Sequence, residues 1–128
     1  MSKHSFNAKE GPILVRAQAS GPAGSINLNL ALDTAATTSV VDLANLIHLG
    51  FDPTQPFRRL RMTTGSTIGI VPVFALTRLS ALGQHRFVFP IVGHRLPPSS
   101  GVDGLLGLDF LRDQVLTIDF RAGQLDLF

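Results

Sequence analysis

The sequence predicts a mostly β domain with one or two short helices. Apolar and polar residues alternate in several segments, turns rich in glycine and proline separate these segments, and one segment carries both a helix start and a helix stop signal. The chain has 128 residues, of which 45% are hydrophobic, and this suffices for one folded core. We therefore expect a polar N-terminal segment, residues 1–11, followed by a single domain, residues 12–128.

Charge and cysteine content narrow the function classes. The net charge is only +2, and we find no nucleic-acid-binding motif, so we expect no nucleic acid partner. The absence of cysteine excludes a disulfide scaffold and thiol chemistry. The N-terminus is polar and no apolar run is long enough to span a bilayer. We therefore expect no membrane insertion, and a cytoplasmic protein or a soluble domain of a larger one.

The first half of the chain predicts a hairpin followed by a helix. Segments 12–20 and 25–33 alternate between apolar and polar residues, and a turn containing glycine and proline joins them. Segment 42–50 has a helical pattern, in which Asp42 can cap the N-terminus and Gly50 can end the helix. The helix would therefore follow the hairpin closely.

The second half predicts further strands. Segments 57–62 and 67–82 flank "TTGS" and should form a second hairpin with Gly65 near its tip. The apolar, glycine-rich segment 101–113 should end in one helical turn. The remaining strands are expected over residues 85–92, 114–120 and 124–128.

In the segment "LALDTAATTSVVD", residues 30–42, Asp33 stands at the end of a predicted apolar strand. A buried carboxylate is costly unless it has partners. The hydroxyl groups that follow can supply them, and the small Ala35 and Ala36 leave the backbone approachable. Taken alone, the pattern fits an aspartate that makes a turn with its own backbone. A reactive carboxylate is the alternative.

The order of three motifs resembles the retroviral-type aspartic proteases, called retropepsins, and their bacterial relatives. The family's apolar-apolar-Asp-Thr/Ser-Gly-Ala motif is similar to "ALDTAATTSVV", its flap hairpin to "RMTTGSTIGIV", and its apolar-apolar-Gly motif before a short helix to "GLLGLDFL". The resemblance covers residues 12–128. It implies an all-β, retropepsin-like closed barrel with a flap hairpin and one or two short helices.

The resemblance also implies an activity, that of an aspartic endopeptidase without metal or cofactor. Each of two chains would contribute Asp33, and the two carboxylates would share one proton and activate a water. Because the chain has one such motif, the active form would be a homodimer with the site on its two-fold axis. Thr34 would form a hydrogen bond across that axis. The substrate would be an extended peptide or protein.

Further site residues follow from the same resemblance. Ala35 and Ala36 would support the active-site loop beside Thr34. The tip of the flap would comprise Thr63, Thr64, Gly65 and Ser66, with an ordinary hairpin turn as the alternative. Leu105, Leu106 and Gly107 would form a strand packed behind the Asp33 loop, as a structural motif. We expect Asp103 and Asp109 to be capping or turn residues rather than acids of the site.

Ala35 occupies a position where the family has glycine. A methyl group there could disturb the amide bond to the carboxylate, although alanine costs little where φ is negative. A second hypothesis is therefore a catalytically weak or inactive retropepsin-like module for dimerisation or peptide binding. A small β-barrel that binds a ligand is a third, in which "DTAA" has no role.

Three further expectations concern surfaces. The last strands, 114–120 and 124–128, should form part of the dimer interface, since an apolar edge strand needs a partner. Leu28, Ile70 and Val71 are expected to line the substrate cleft. The basic run 57–61 is expected to be the solvated face of a strand, with binding of an acidic partner as the alternative. The four histidines have no metal-ligand spacing.

Overall fold

The computed structural model describes residues 3–64 and 66–128. This part of the chain contains ten β-strands, two α-helices and a short 3₁₀ helix, Pro98–Ser100. The first strands and helix are β1 (Lys3–Ser5), β2 (Leu14–Gly21), β3 (Gly24–Leu32), β4 (Val40–Asp42) and α1 (Leu43–His48). The later elements are β5 (Arg58–Thr64), β6 (Thr67–Ala81), β7 (Gln84–His94), β8 (Gly104–Leu106), α2 (Leu108–Leu111), β9 (Leu116–Asp119) and β10 (Gln124–Leu127).

Six of the strands close a barrel. They follow each other in the order β2, β3, β8, β4, β7 and β6, and β6 pairs back with β2. Strand β5 extends this sheet by pairing with β6, which forms the second predicted hairpin. A separate three-stranded sheet has the order β1, β10, β9. The predicted mostly β architecture with a closed barrel and two short helices is confirmed.

The barrel is filled by the apolar faces of its strands. Alternation along β2 places Val15, Ala17 and Ala19 inside, and their neighbours face solvent. Phe74 from β6 and Phe110 from α2 are fully buried in the same cluster. Burial of side chains this large stabilises the fold by about 1.5–3 kcal/mol each relative to exposure.

Helix α1 begins and ends as the sequence predicts. The carboxylate of Asp42 accepts a hydrogen bond from the amide of Ala44 (3.2 Å), and Gly50 adopts a positive φ of 96° just beyond the helix. Leu46 anchors the helix in the core. Neither α-helix in the described residues is long and apolar enough to cross a bilayer.

Two short strands were not predicted. Strand β1 lies in the polar segment 1–11 and pairs antiparallel with β10, with Lys3 opposite Asp126. Strand β4 pairs parallel with β7 and antiparallel with β8. Each has only three residues, too few for a period-2 pattern to appear in the sequence. Residues 1–2 lie outside the described part of the chain.

Candidate active site

Asp33 is the first residue beyond strand β3, at the start of a loop that returns as β4. Strand β8 lies between β3 and β4, parallel to the first and antiparallel to the second. The loop of residues 33–39 therefore crosses the end of β8. The amide of Asp33 donates a hydrogen bond to the carbonyl oxygen of Leu106 at 3.0 Å, which joins the start of the loop to β8.

Glycines at both ends of β8 allow this close approach. A Cβ atom at Gly107 would lie 2.6 Å from the carbonyl oxygen of Ala36, and one at Gly104 would collide with the carbonyl oxygen of Val40. Between them, Leu106 is fully buried and Leu105 is partly buried. Leu105, Leu106 and Gly107 thus lie directly behind the loop that carries Asp33.

Helix α2 supports the middle of the same loop. The amide of Leu108 donates to the carbonyl oxygen of Ala36 (2.8 Å), and the amide of Asp109 donates to that of Thr37 (3.2 Å). The buried Phe110 fixes α2 in the core. The backbone of the loop is therefore held by hydrogen bonds from an anchored helix.

A buried network ends the loop at Ser39. Its hydroxyl donates to Asp109 Oδ1 at 2.6 Å and accepts from the amide of Gly107 at 2.9 Å. Its amide donates to Asp109 Oδ2 at 2.9 Å, and its carbonyl oxygen accepts from the amide of Val92 at 3.2 Å. Every polar group of this fully buried serine is thus satisfied.

The sequence suggested that Asp103 and Asp109 cap a helix or make a turn, but their carboxylates instead join distant segments of the chain. Asp109 binds Ser39, which lies 70 residues away in the sequence, and Asp103 Oδ2 accepts from the amide of Asn29, 74 residues away, at 2.8 Å. Each carboxylate joins two segments that lie far apart in the sequence. Sequence reasoning missed them because their partners are non-local.

The carboxylate of Asp33 is partly exposed. Its Oδ1 accepts a hydrogen bond from the amide of Ala35 at 2.9 Å. Ala35 is not among the non-glycine residues with positive φ, which in the described part of the chain are Leu82, Val88 and Asp113. The methyl group of Ala35 therefore neither breaks this bond nor strains the backbone.

Thr34 follows Asp33 and is exposed. Its hydroxyl forms no hydrogen bond with another described residue. The side chain is thus placed beside Asp33 with its donor and acceptor both accessible.

A cavity of about 720 Å³ opens beside the loop. It is lined by Ala35, Ala36, Thr37, Thr38, Val40, Leu60, Arg61, Met62, Thr63, His94, Leu96 and Leu105. The lining contains one histidine and no carboxylate, and no group of three His, Asp or Glu side chains within residues 3–64 and 66–128 is placed to hold a metal ion. The cavity is therefore a mainly apolar cleft between the Asp33 loop and β5.

Of the residues expected to line the cleft, none borders this cavity. Leu28 is 2% exposed and belongs to the barrel core, whereas Ile70 is 69% exposed and Val71 belongs to a smaller buried cluster. Alternation placed Leu28 on the apolar face of its strand, and this face lines the barrel interior. Alternation does not distinguish the barrel interior from the cleft.

The hairpin of β5 and β6 stands beside the cavity. Its register places Thr63 opposite Ile68 and Thr64 opposite Thr67. Thr63 lines the cavity, and Ser66 is exposed in the turn. Gly65, the predicted tip of the flap, lies outside the described residues.

No protein-family model matches the chain, and no curated protein sequence matches it. Among solved structures, the crystal structure of a retropepsin-like aspartic protease from Rickettsia conorii is similar, with a TM-score of 0.74 and 16% sequence identity. The similarity covers 99% of this chain and 89% of that one. It shows that the chain has the retropepsin-like fold.

Proposed function

We propose that this chain is an aspartic endopeptidase that acts as a homodimer, with Asp33 of each chain as the catalytic residue. The observation that carries the proposal is the position of Asp33. It begins a loop that β8 and α2 hold through backbone hydrogen bonds, in a chain with the retropepsin-like fold, and the loop borders an apolar cleft.

The chemistry needs two carboxylates close together. At such a distance both cannot ionise, so the pair holds one proton. The charged carboxylate takes a proton from a bound water as this water attacks the peptide carbonyl carbon, while the protonated carboxylate donates a hydrogen bond to the carbonyl oxygen. When the carbon–nitrogen bond breaks, the proton taken from the water passes to the leaving amine nitrogen, and the pair again holds one proton. Asp33 Oδ1 is held by Ala35, and Oδ2 has no partner among the described residues, which supports this role.

The proposed dimer would bring the two Asp33 residues together on a two-fold axis. The accessible hydroxyl of Thr34 would then form hydrogen bonds across that axis. The three-stranded sheet would contribute to the interface through β9, since β10 is already paired on both sides. Exposed apolar side chains near the end of the chain, Val115, Phe120 and Phe128, are consistent with such a contact.

The alternative, an inactive dimerisation or peptide-binding module, was motivated by Ala35. The 2.9 Å hydrogen bond from the Ala35 amide to Asp33, together with the absence of a positive φ at Ala35, argues against a loss of activity caused by the methyl group. The peptidase is therefore the better supported of the two functions.

Digestion of a mixed peptide library from acidic to neutral pH tests the proposal. We expect cleavage that pepstatin inhibits, together with a dimer in sedimentation experiments. The matched control is the Asp33→Asn variant, which should leave the library intact. A protein that sediments as a dimer and cleaves nothing across this pH range would support the inactive module instead.

A further inference from the structure

The mainly apolar cleft beside the Asp33 loop also carries basic side chains. Its twelve lining residues include two with basic side chains, Arg61 and His94, and none with a carboxylate. The other ten are apolar residues and threonines. A ligand side chain in this cavity would therefore meet apolar walls and a positive charge.

No described residue neutralises the charge of Arg61. Its guanidinium group forms no hydrogen bond or ion pair with another described residue. The same holds for Arg58 and Arg59 on the same strand, and for Arg95, which follows His94. The rim formed by β5 and the end of β7 therefore carries a surplus of positive charge, which attracts acidic ligands.

A second, smaller cavity of about 200 Å³ continues the first. The two share Thr38 and Leu60, and Arg58 lines the smaller one. The carboxylate in its lining is Asp109, whose two oxygens accept the hydrogen bonds of Ser39. Both oxygens of the Asp109 carboxylate are thus already engaged by hydrogen bonds from the loop.

We infer that the cleft selects extended peptides that place an apolar side chain in the larger cavity and a carboxylate next to it, with Arg61 and His94 as the specificity-determining residues. This inference rests on the proposed function, since it names the substrate class of the same site. A guanidinium binds a carboxylate through two parallel N–H donors, so it distinguishes glutamate from its neutral amide. The surrounding arginines increase the rate at which acidic peptides reach the cleft.

Two decapeptide libraries test the inference. Both have apolar residues at the centre and random flanking positions, where one library carries glutamate and the other carries glutamine. Binding is measured by fluorescence anisotropy on the Asp33→Asn variant, and cleavage is measured on the wild type. We expect a preference of about fivefold for the glutamate library at low salt, which decreases as salt is added.

Arg61→Gln should remove most of this preference. Arg16→Gln is the matched control, because Arg16 is exposed on β2 and borders neither cavity. Equal binding of the two libraries, binding of neither, or a preference that survives Arg61→Gln would overturn the inference. A glutamate preference in binding without any cleavage by the wild type would support the inference and contradict the proposed peptidase, so the two can fail separately.

Discussion

Ser39 and Asp109 are joined by two hydrogen bonds, from the serine hydroxyl to Oδ1 at 2.6 Å and from its amide to Oδ2 at 2.9 Å. Ser39 ends the loop that begins at Asp33, and Asp109 belongs to α2. Bonds to an ionised acceptor are stronger than neutral ones, and this pair is partly buried. The pair therefore fixes the far end of the loop that carries the proposed catalytic carboxylate.

Replacing Ser39 by alanine should destabilise the protein by about 1–3 kcal/mol. The change removes the one partner that Asp109 Oδ1 has among the described residues, in a partly buried bond, and leaves the amide of Gly107 without its acceptor. Chemical denaturation monitored by circular dichroism measures the effect. Ser25→Ala is the matched control, since the hydroxyl bond between Ser20 and Ser25 is exposed, and it should change stability by less than about 0.5 kcal/mol. Equal effects of the two changes would contradict the role of Ser39.

Gly107→Ala should also destabilise the fold, by about 1–3 kcal/mol, because its methyl group would lie 2.6 Å from the carbonyl oxygen of Ala36. Gly69→Ala is a suitable comparison, since no atom lies within 4 Å of a Cβ at that position and its φ is not positive. That variant should keep its stability or gain up to about 1 kcal/mol. Thermal unfolding of both variants distinguishes them, and a Gly107→Ala protein as stable as wild type would show that the loop can move away from β8.

Sequence patterns predicted those elements that depend only on residues close together in the chain. The hairpin of β2 and β3 was predicted from alternation and a turn, and α1 from Asp42 and Gly50. The pairing of β3 with β8 joins Leu30 to Gly104, and no property of either segment specifies the other. For this reason the sequence predicted the existence of β8 and its glycines, but it did not predict that β8 separates β3 from β4.

The candidate site likewise contains residues that a local sequence motif reveals and residues that only the fold brings together. Asp33 and Ala35 were found because they stand in one continuous motif, and the bond between them spans two residues. The sequence suggested only a capping or turn role for Asp109, because its partner in the structure, Ser39, is distant in sequence. Arg61 and His94 come from different strands, so their common cavity is a property of the folded chain alone.

Ala35→Gly should lower the free energy of unfolding by about 0.4–1 kcal/mol, because glycine gains entropy in the unfolded chain. Peptidase activity should be unchanged or higher, since the amide that binds Asp33 Oδ1 is retained. Urea denaturation and the kcat/KM for one cleaved peptide measure the two effects. A folded variant with a large loss of activity would mean that the methyl group of Ala35 takes part in substrate binding.

Asp33→Asn should abolish cleavage and leave the dimer intact. Asparagine has nearly the same shape, and its side-chain oxygen can still accept from the amide of Ala35, so the loop should keep its conformation. It cannot take the proton of the attacking water, so the proposed general base would be lost from both chains of the proposed dimer at once. In the proposed mechanism only the singly protonated pair of carboxylates is active, so wild-type kcat/KM should follow a bell-shaped pH profile on the acid side of neutral. Both limbs of that profile would describe the pair and not one residue alone. Peptide cleavage against pH, with sedimentation of both proteins, tests this. A variant dimer that cleaves at a substantial fraction of the wild-type rate would exclude Asp33 as the base.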